Sequence, residues 1–191
     1  VTFSPQVVVS VISALNDLGQ PYILTGSLAR NLYCIPRSTV DADFVVSATP
    51  EMLEYLFAQL GQQFDRESQM TFETVTGKTH HKFRHPKTKF LIEIFEADMD
   101  DPHERSRFER RQEVDVEGYA TFVPAAEDII VQKLRWYSRI SRTKDRTDAL
   151  EVMEAQWHAL DWPYIERWAH EHSTVEMFNE LRGEVRTQLE Q

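Results

Sequence analysis

Val8, Val11, Ile12, Leu15 and Leu18 recur at helical spacing, so a helix is expected over residues 4–18, with Ser4 as N-cap, Pro5 at the first position and Gly19 as its stop. The short apolar run YILT follows and ends directly at Gly26-Ser27; LARNLY, residues 28–33, then reads as a helix that Pro36 breaks. A second strand is expected through Val46, and Thr49-Pro50-Glu51 opens a helix to about Leu60, with Gly61 after it. FETVT, residues 72–76, has the alternation of a strand, and FLIEIF is an apolar strand with Glu93 as its one misfit. DPHERSRFERRQ, residues 101–112, reads as a charged, exposed helix, and EVDVEGYATFV as a hairpin about Glu117-Gly118. From Pro124 the pattern is helical almost to the end, divided near Trp162-Pro163 and Ser173-Thr174. These elements predict an α+β fold in two parts, a mixed αβ domain over 1–122 and a helical domain over 123–191.

The second strand carries the most unusual chemistry. Side chains alternate faces along a strand, so Asp41 and Asp43 point to the same side. Strands are poor in Asp, and two like charges so placed repel unless a cation lies between them. Fifteen residues upstream, Gly26-Ser27 sits at a strand-to-helix junction. There a glycine lets the backbone approach a phosphate, a hydroxyl donates to it, and helix N–H groups add partial positive charge. With Glu93 as a third acid, the set suits one or two Mg²⁺ ions, which prefer oxygen ligands and bridge to substrate phosphates.

Composition bounds the remaining classes. The chain has 191 residues, 41% hydrophobic, with a formal charge of -10, which argues against wholesale coating of nucleic acid or an anionic membrane. No apolar run approaches the ~20 residues of a membrane span. No signal-peptide pattern opens the sequence. The single cysteine, Cys34, excludes an internal disulfide and reads as a small buried apolar residue; a cytoplasmic protein is expected.

The charge is strongly segregated. KTHHKFRHPKTK, residues 78–89, holds five Lys or Arg and three His with no acid, whereas residues 148–190 hold ten acids against three arginines. His80 and His81 would point to opposite strand faces, which favours an exposed basic hairpin over a zinc site. Together with the arginines at 105, 107, 110 and 111 and the cluster from Lys133 to Arg146, the basic stretches admit an RNA acceptor such as tRNA.

Gly26-Ser27, then Arg37-Ser38-Thr39-Val40-Asp41-Ala42-Asp43-Phe44, then an acid on a later strand, resemble the polymerase-beta type of nucleotidyltransferase superfamily. Glu127 to Leu134, with Lys133 on a helix, followed by Lys144-Asp145-Arg146-Thr147-Asp148, is similar to the branch that contains AbiEii-type toxins and related bacterial nucleotidyltransferases. The resemblance spans residues 26–148. It implies a mixed sheet flanked by helices, a C-terminal helical domain, and transfer of a nucleoside monophosphate from an NTP to an acceptor hydroxyl with release of pyrophosphate. It makes Asp41 and Asp43 ligands of Mg²⁺, and Glu93 a third ligand or general base, with Glu96 and Asp98 as nearby substitutes. It gives Gly26 and Ser27 to the terminal phosphates, with Arg37 and Lys133 as further nucleotide contacts and Asp145 orienting Lys133 or touching the nucleotide. The acceptor stays open between RNA, protein and small molecule, and an antitoxin protein is a further partner in this branch. Five structural alternatives stand beside it: Gly26-Ser27 as an ordinary turn, Glu93 as a strand residue facing solvent, Lys133 and Asp145 paired across two helices, Asp148 at the surface, and Arg37 capping the loop after Pro36. Two functional alternatives are a nucleotide-sugar glycosyltransferase using Asp-x-Asp, and a non-catalytic binding protein on the same fold.

Overall fold

The computed structural model describes residues 5–67, 71–73 and 78–190. The chain divides into two compact units, one of Val1–Ala29 and Arg37–Pro124, the other of Arg30–Pro36 and Ala125–Gln191. Among the described residues no helix is long and apolar enough to cross a membrane.

In the first unit the order is α1 (Pro5–Leu18), β1 (Tyr22–Thr25), the start of α2 (Gly26–Arg30), β2 (Asp41–Val46), α3 (Pro50–Leu60), β3 (Asp65–Arg66), β4 (Thr71–Glu73), β5 (Lys78–Arg84), β6 (Leu91–Glu96), α4 (Pro102–Glu109) and the hairpin β7 (Gln112–Val116) and β8 (Tyr119–Val123). The sheet runs β1-β2-β6-β5-β3, with β4 on β5. It is mixed: β2 and β6 are parallel, while β1 with β2, β5 with β6, and β3 and β4 with β5 are antiparallel.

Alternation along the strands splits the sheet into two unlike faces. On one, Ala42, Phe44, Ile92, Ile94 and Phe83 are buried, together with the apolar stripes of α1 (Val8, Val11, Ile12, Leu15) and α3 (Leu53, Leu56, Phe57, Leu60). The Phe57 ring lies 5.4 Å from that of Phe83. Thr49 caps α3 and Pro50 opens it, as the sequence implied. On the other face Ile23, Val45 and Phe95 pack against Phe108 of α4. Asp41, Asp43 and Glu93 share that second face.

Several expectations change in the fold. The helix after Gly26 is shorter and earlier than LARNLY: it covers Gly26–Arg30, and a turn follows in which Arg30 O accepts from Tyr33 N at 3.0 Å. The guanidinium of Arg30 holds the turn through Ile35 O at 2.6 Å. Helix α4 is not simply exposed, because His103, Glu104, Arg107 and Phe108 are buried. Its buried charges answer one another, Arg107 Nη1 lying 3.4 Å from Glu104 Oε2. The basic stretch does turn as a hairpin at residues 86–88, but His80 and His81 are buried because β5 lies inside the sheet. Cys34 is half-buried. Thr71–Glu73 forms part of the strand expected over 72–76; residues 74–76, and Ser4 as a cap, lie outside the described residues.

The second unit holds the end of α2 and four helices: α5 (Ala126–Ile140), α6 (Thr143–Gln156), α7 (Trp162–Glu171) and α8 (Val175–Leu189). Helix α5 packs on α6 and α7, and α8 packs on the same two. Its core is Ile130, Leu134, Val152, Met153, Ile165, Phe178, Leu181 and Val185. Ser141 at φ 52 ends α5 in the left-handed conformation.

Candidate active site

The register places four polar side chains in one row across the second face of the sheet. Thr25 of β1 lies opposite Asp43 of β2, Asp43 opposite Glu93 of β6, and Glu93 opposite Lys82 of β5. Neighbouring strands lie ~4.8 Å apart, so the row juxtaposes a hydroxyl, two carboxylates and an ammonium. Asp41 stands two residues before Asp43 on the same face, half-buried, and Thr39 Oγ1 donates to its Oδ1 at 2.5 Å.

Gly26 completes the geometry. Its φ of +66 suits glycine, and a Cβ there would lie 1.8 Å from Asp43 Oδ2. The Asp43 carboxylate therefore rests on the backbone of the turn itself. Ser27, the next residue, is buried. Arg107 Nη2 reaches Thr25 Oγ1 at 3.5 Å, tying α4 to the residue before the turn. Arg37 is half-buried on the approach to β2.

Glu93 Oε1 lies 3.2 Å from Lys82 Nζ and 3.5 Å from His80 Nε2. Of its substitutes, Glu96 is on the opposite face, paired with His81 Nε2 at 2.9 Å. Asp98 follows the strand and accepts from Asp100 N at 3.1 Å. The two histidines thus serve different faces. Lys82 was visible in the sequence only as one cation of a basic tract. A hairpin turning at 86–88 pairs positions whose numbers sum to a constant, and that register sets Lys82 against Glu93.

Among the described residues no three His, Cys, Asp or Glu side chains form a group able to hold a metal ion. Asp41 and Asp43 are two carboxylates on one face of β2, the donor type that a hard divalent cation takes. Mg²⁺ is commonly bound by one or two carboxylates and completes its shell with water and substrate phosphates.

Lys133 and Asp145 meet in the helical unit. Lys133 Nζ lies 2.8 Å from Asp145 Oδ1 and 2.9 Å from Asp148 Oδ2, with all three side chains buried. They pair across α5 and α6, and Asp148 is buried rather than at the surface. Arg142 Nε lies 2.7 Å from Asp145 Oδ2, and Arg30 is placed between Asp148, at 3.7 Å, and Glu151. The result is an alternating chain of cations and carboxylates. Two further acids of the helical motif also have local partners: Glu127 Oε1 accepts from Asp161 N at 2.9 Å, and Asp128 Oδ1 from Tyr164 Oη at 2.6 Å. Burial pushes the Tyr33 hydroxyl up to about 12, and the negative charges of Glu127 and Asp128 add to the effect.

No protein-family model matches the chain, and no curated protein matches its sequence. Solved structures do match its fold. An antigenic nucleotidyltransferase-like protein from Paracoccidioides brasiliensis superposes with a TM-score of 0.59 at 18% identity, over 94% of this chain and 91% of that one. ANT(2")-Ia in complex with adenylyl-2"-tobramycin gives 0.59 at 14% identity, over 97% and 99%. The solution structure of the antibiotic-resistance factor ANT(2'')-Ia gives 0.57 at 13% identity, over 97% and 92%. The mixed sheet with the Gly26 turn and the Asp41 and Asp43 strand is thus an α+β nucleotidyltransferase fold.

Proposed function

We propose that the protein is a metal-dependent nucleotidyltransferase that moves a nucleoside monophosphate from an NTP to an acceptor hydroxyl. The observation that carries this reading is the contact of the Asp43 carboxylate with the Gly26 backbone, with Asp41 on the same face. It brings a carboxylate pair and a glycine turn at a helix start together on a nucleotidyltransferase fold. ANT(2")-Ia, which shares the fold, is known in complex with an adenylylated aminoglycoside.

In this reading the acceptor oxygen bonds the α-phosphorus as the bond from that phosphorus to the bridging oxygen breaks and pyrophosphate leaves. Asp41 and Asp43 hold Mg²⁺, Gly26 and Ser27 receive the terminal phosphates, and Glu93 takes the acceptor proton. What a bound divalent ion supplies is charge neutralisation on the phosphates. The chain's own part is to fix two carboxylate oxygens against a backbone turn, so that little reorganisation accompanies the reaction. Lys133 and Asp145 are one another's partners in the helical unit, so this reading is built on the first unit alone.

The test is calorimetric. Wild-type protein with Mg²⁺ should bind at least one of the four NTPs, and Asp41→Ala with Asp43→Ala should abolish metal-dependent binding. Absence of NTP and metal binding in the wild type would remove the proposal. Turnover with pools of small alcohols, protein and RNA then assigns the acceptor.

A further inference from the structure

We propose that Lys82 is a positioning residue of this site, holding Glu93 as the acceptor-side carboxylate in place of a second divalent cation, so that Asp41 and Asp43 alone carry the metal. The inference rests on the nucleotidyl-transfer reading above and divides the roles that reading leaves together.

The row across the sheet poses an electrostatic problem. Asp43 and Glu93 are direct neighbours on adjacent strands with side chains on one face, an arrangement that destabilises when both are charged. A metal between them is one solution. The fold provides another: two side chains of β5 engage Glu93 Oε1, Lys82 Nζ at 3.2 Å and His80 Nε2 at 3.5 Å.

Partial burial makes this pair firmer than a surface pair. The Glu93 side chain is 16% exposed and that of Lys82 27%, and their attraction grows as water is excluded. A divalent ion seated on Glu93 Oε1 would face the ammonium at close range, with like charge against like charge. Asp41 and Asp43 lie further along the same face, Thr39 Oγ1 donating to Asp41 Oδ1 and the Gly26 backbone lying against Asp43. Lys82 acts through Glu93: it sets the direction of the carboxylate that receives the acceptor proton, and removing it should reduce turnover rather than nucleotide affinity.

Two measurements test this. Mn²⁺ binding is followed by electron paramagnetic resonance on the intact chain, without turnover. Asp43→Asn should weaken it by about tenfold or more, as loss of a ligand does, while Glu93→Gln and Lys82→Met leave it within about twofold. Steady-state kinetics should show kcat in Lys82→Met lowered about tenfold or more with KM for the NTP little changed, and Lys82→Arg recovering most of the loss. Glu93→Gln weakening Mn²⁺ as severely as Asp43→Asn would overturn the proposal, as would wild-type kcat in Lys82→Met. Should wild-type protein turn over no NTP, the transfer reading fails, and the Mn²⁺ measurements still decide which carboxylates hold the ion.

Discussion

A Cβ at Gly26 would lie 1.8 Å from Asp43 Oδ2 and 2.9 Å from the Asp43 carboxyl carbon. Gly26→Ala must therefore displace the carboxylate as well as strain a backbone at φ +66. Gly19, at φ +68, has nothing within 4 Å of the equivalent position, so Gly19→Ala isolates the strain. Each variant should lose about 1–2 kcal/mol in urea unfolding from the left-handed backbone alone. Only Gly26→Ala should also lose pyrophosphate release, by about a hundredfold, the scale of a catalytic group misplaced by an ångström.

Thr39 Oγ1 supports Asp41 through a short hydrogen bond to its Oδ1 at 2.5 Å and a longer contact with its backbone O at 3.4 Å. Thr39→Val keeps the shape and removes the donor. Mn²⁺ affinity should fall about tenfold, the lower end for loss of a residue that orients a ligand, with thermal unfolding nearly unchanged. Equal Mn²⁺ titrations for the two proteins would show that Asp41 needs no such support.

The Lys133 cluster makes a prediction about stability. Lys133→Met takes the ammonium away from Asp145 and Asp148, both fully buried, and keeps Arg142 beside the first and Arg30 beside the second. Removing one member of a buried ion pair costs about 3–5 kcal/mol, and the retained arginines place this variant near the lower figure. Lys133→Met with Asp148→Asn should be more stable than Lys133→Met alone, as chemical denaturation at neutral pH can determine.

Tyr33 gives a pH signature. Its hydroxyl ionises near 12 in the folded chain against 10.0 for the unperturbed group, with burial as the leading cause. Below 10 both states keep the proton and the residue makes no pH-dependent contribution. Between 10 and 12 the unfolded chain releases the proton first, so stability falls as pH rises through this window. Tyr33→Phe should flatten that part of the stability profile and remove a late step from the alkaline ultraviolet titration.

Much of the fold follows from local pattern. Period-two alternation placed Asp41 and Asp43 on one face, and a turn about Glu117-Gly118 was expected between two strands. Both residues have positive φ there, at 54 and 86. What local pattern could not supply was the environment of charged residues. His80 and His81 read as an exposed hairpin because their burial depends on β5 lying between β6 and the β3 and β4 pairings, a property of the whole sheet. Glu104 and Arg107 read as solvated because a buried pair on one helix has the composition of an exposed one. Lys82 stayed hidden within its tract for a related reason, since its meaning comes from the partner across the hairpin. Arg30–Pro36 joins the helical unit through contacts far along the chain, among them Gln156 Nε2 donating to Tyr33 O at 2.7 Å.

The most direct test of the central claim follows the two ends of the triphosphate. With an acceptor pool and Mg²⁺, label at the α-phosphate should enter the acceptor and label at the γ-phosphate should appear in pyrophosphate, both lost in Asp41→Asn with Asp43→Asn. Transfer of the γ label to the acceptor, or no transfer of either label from any NTP by wild-type protein, would contradict nucleotidyl transfer.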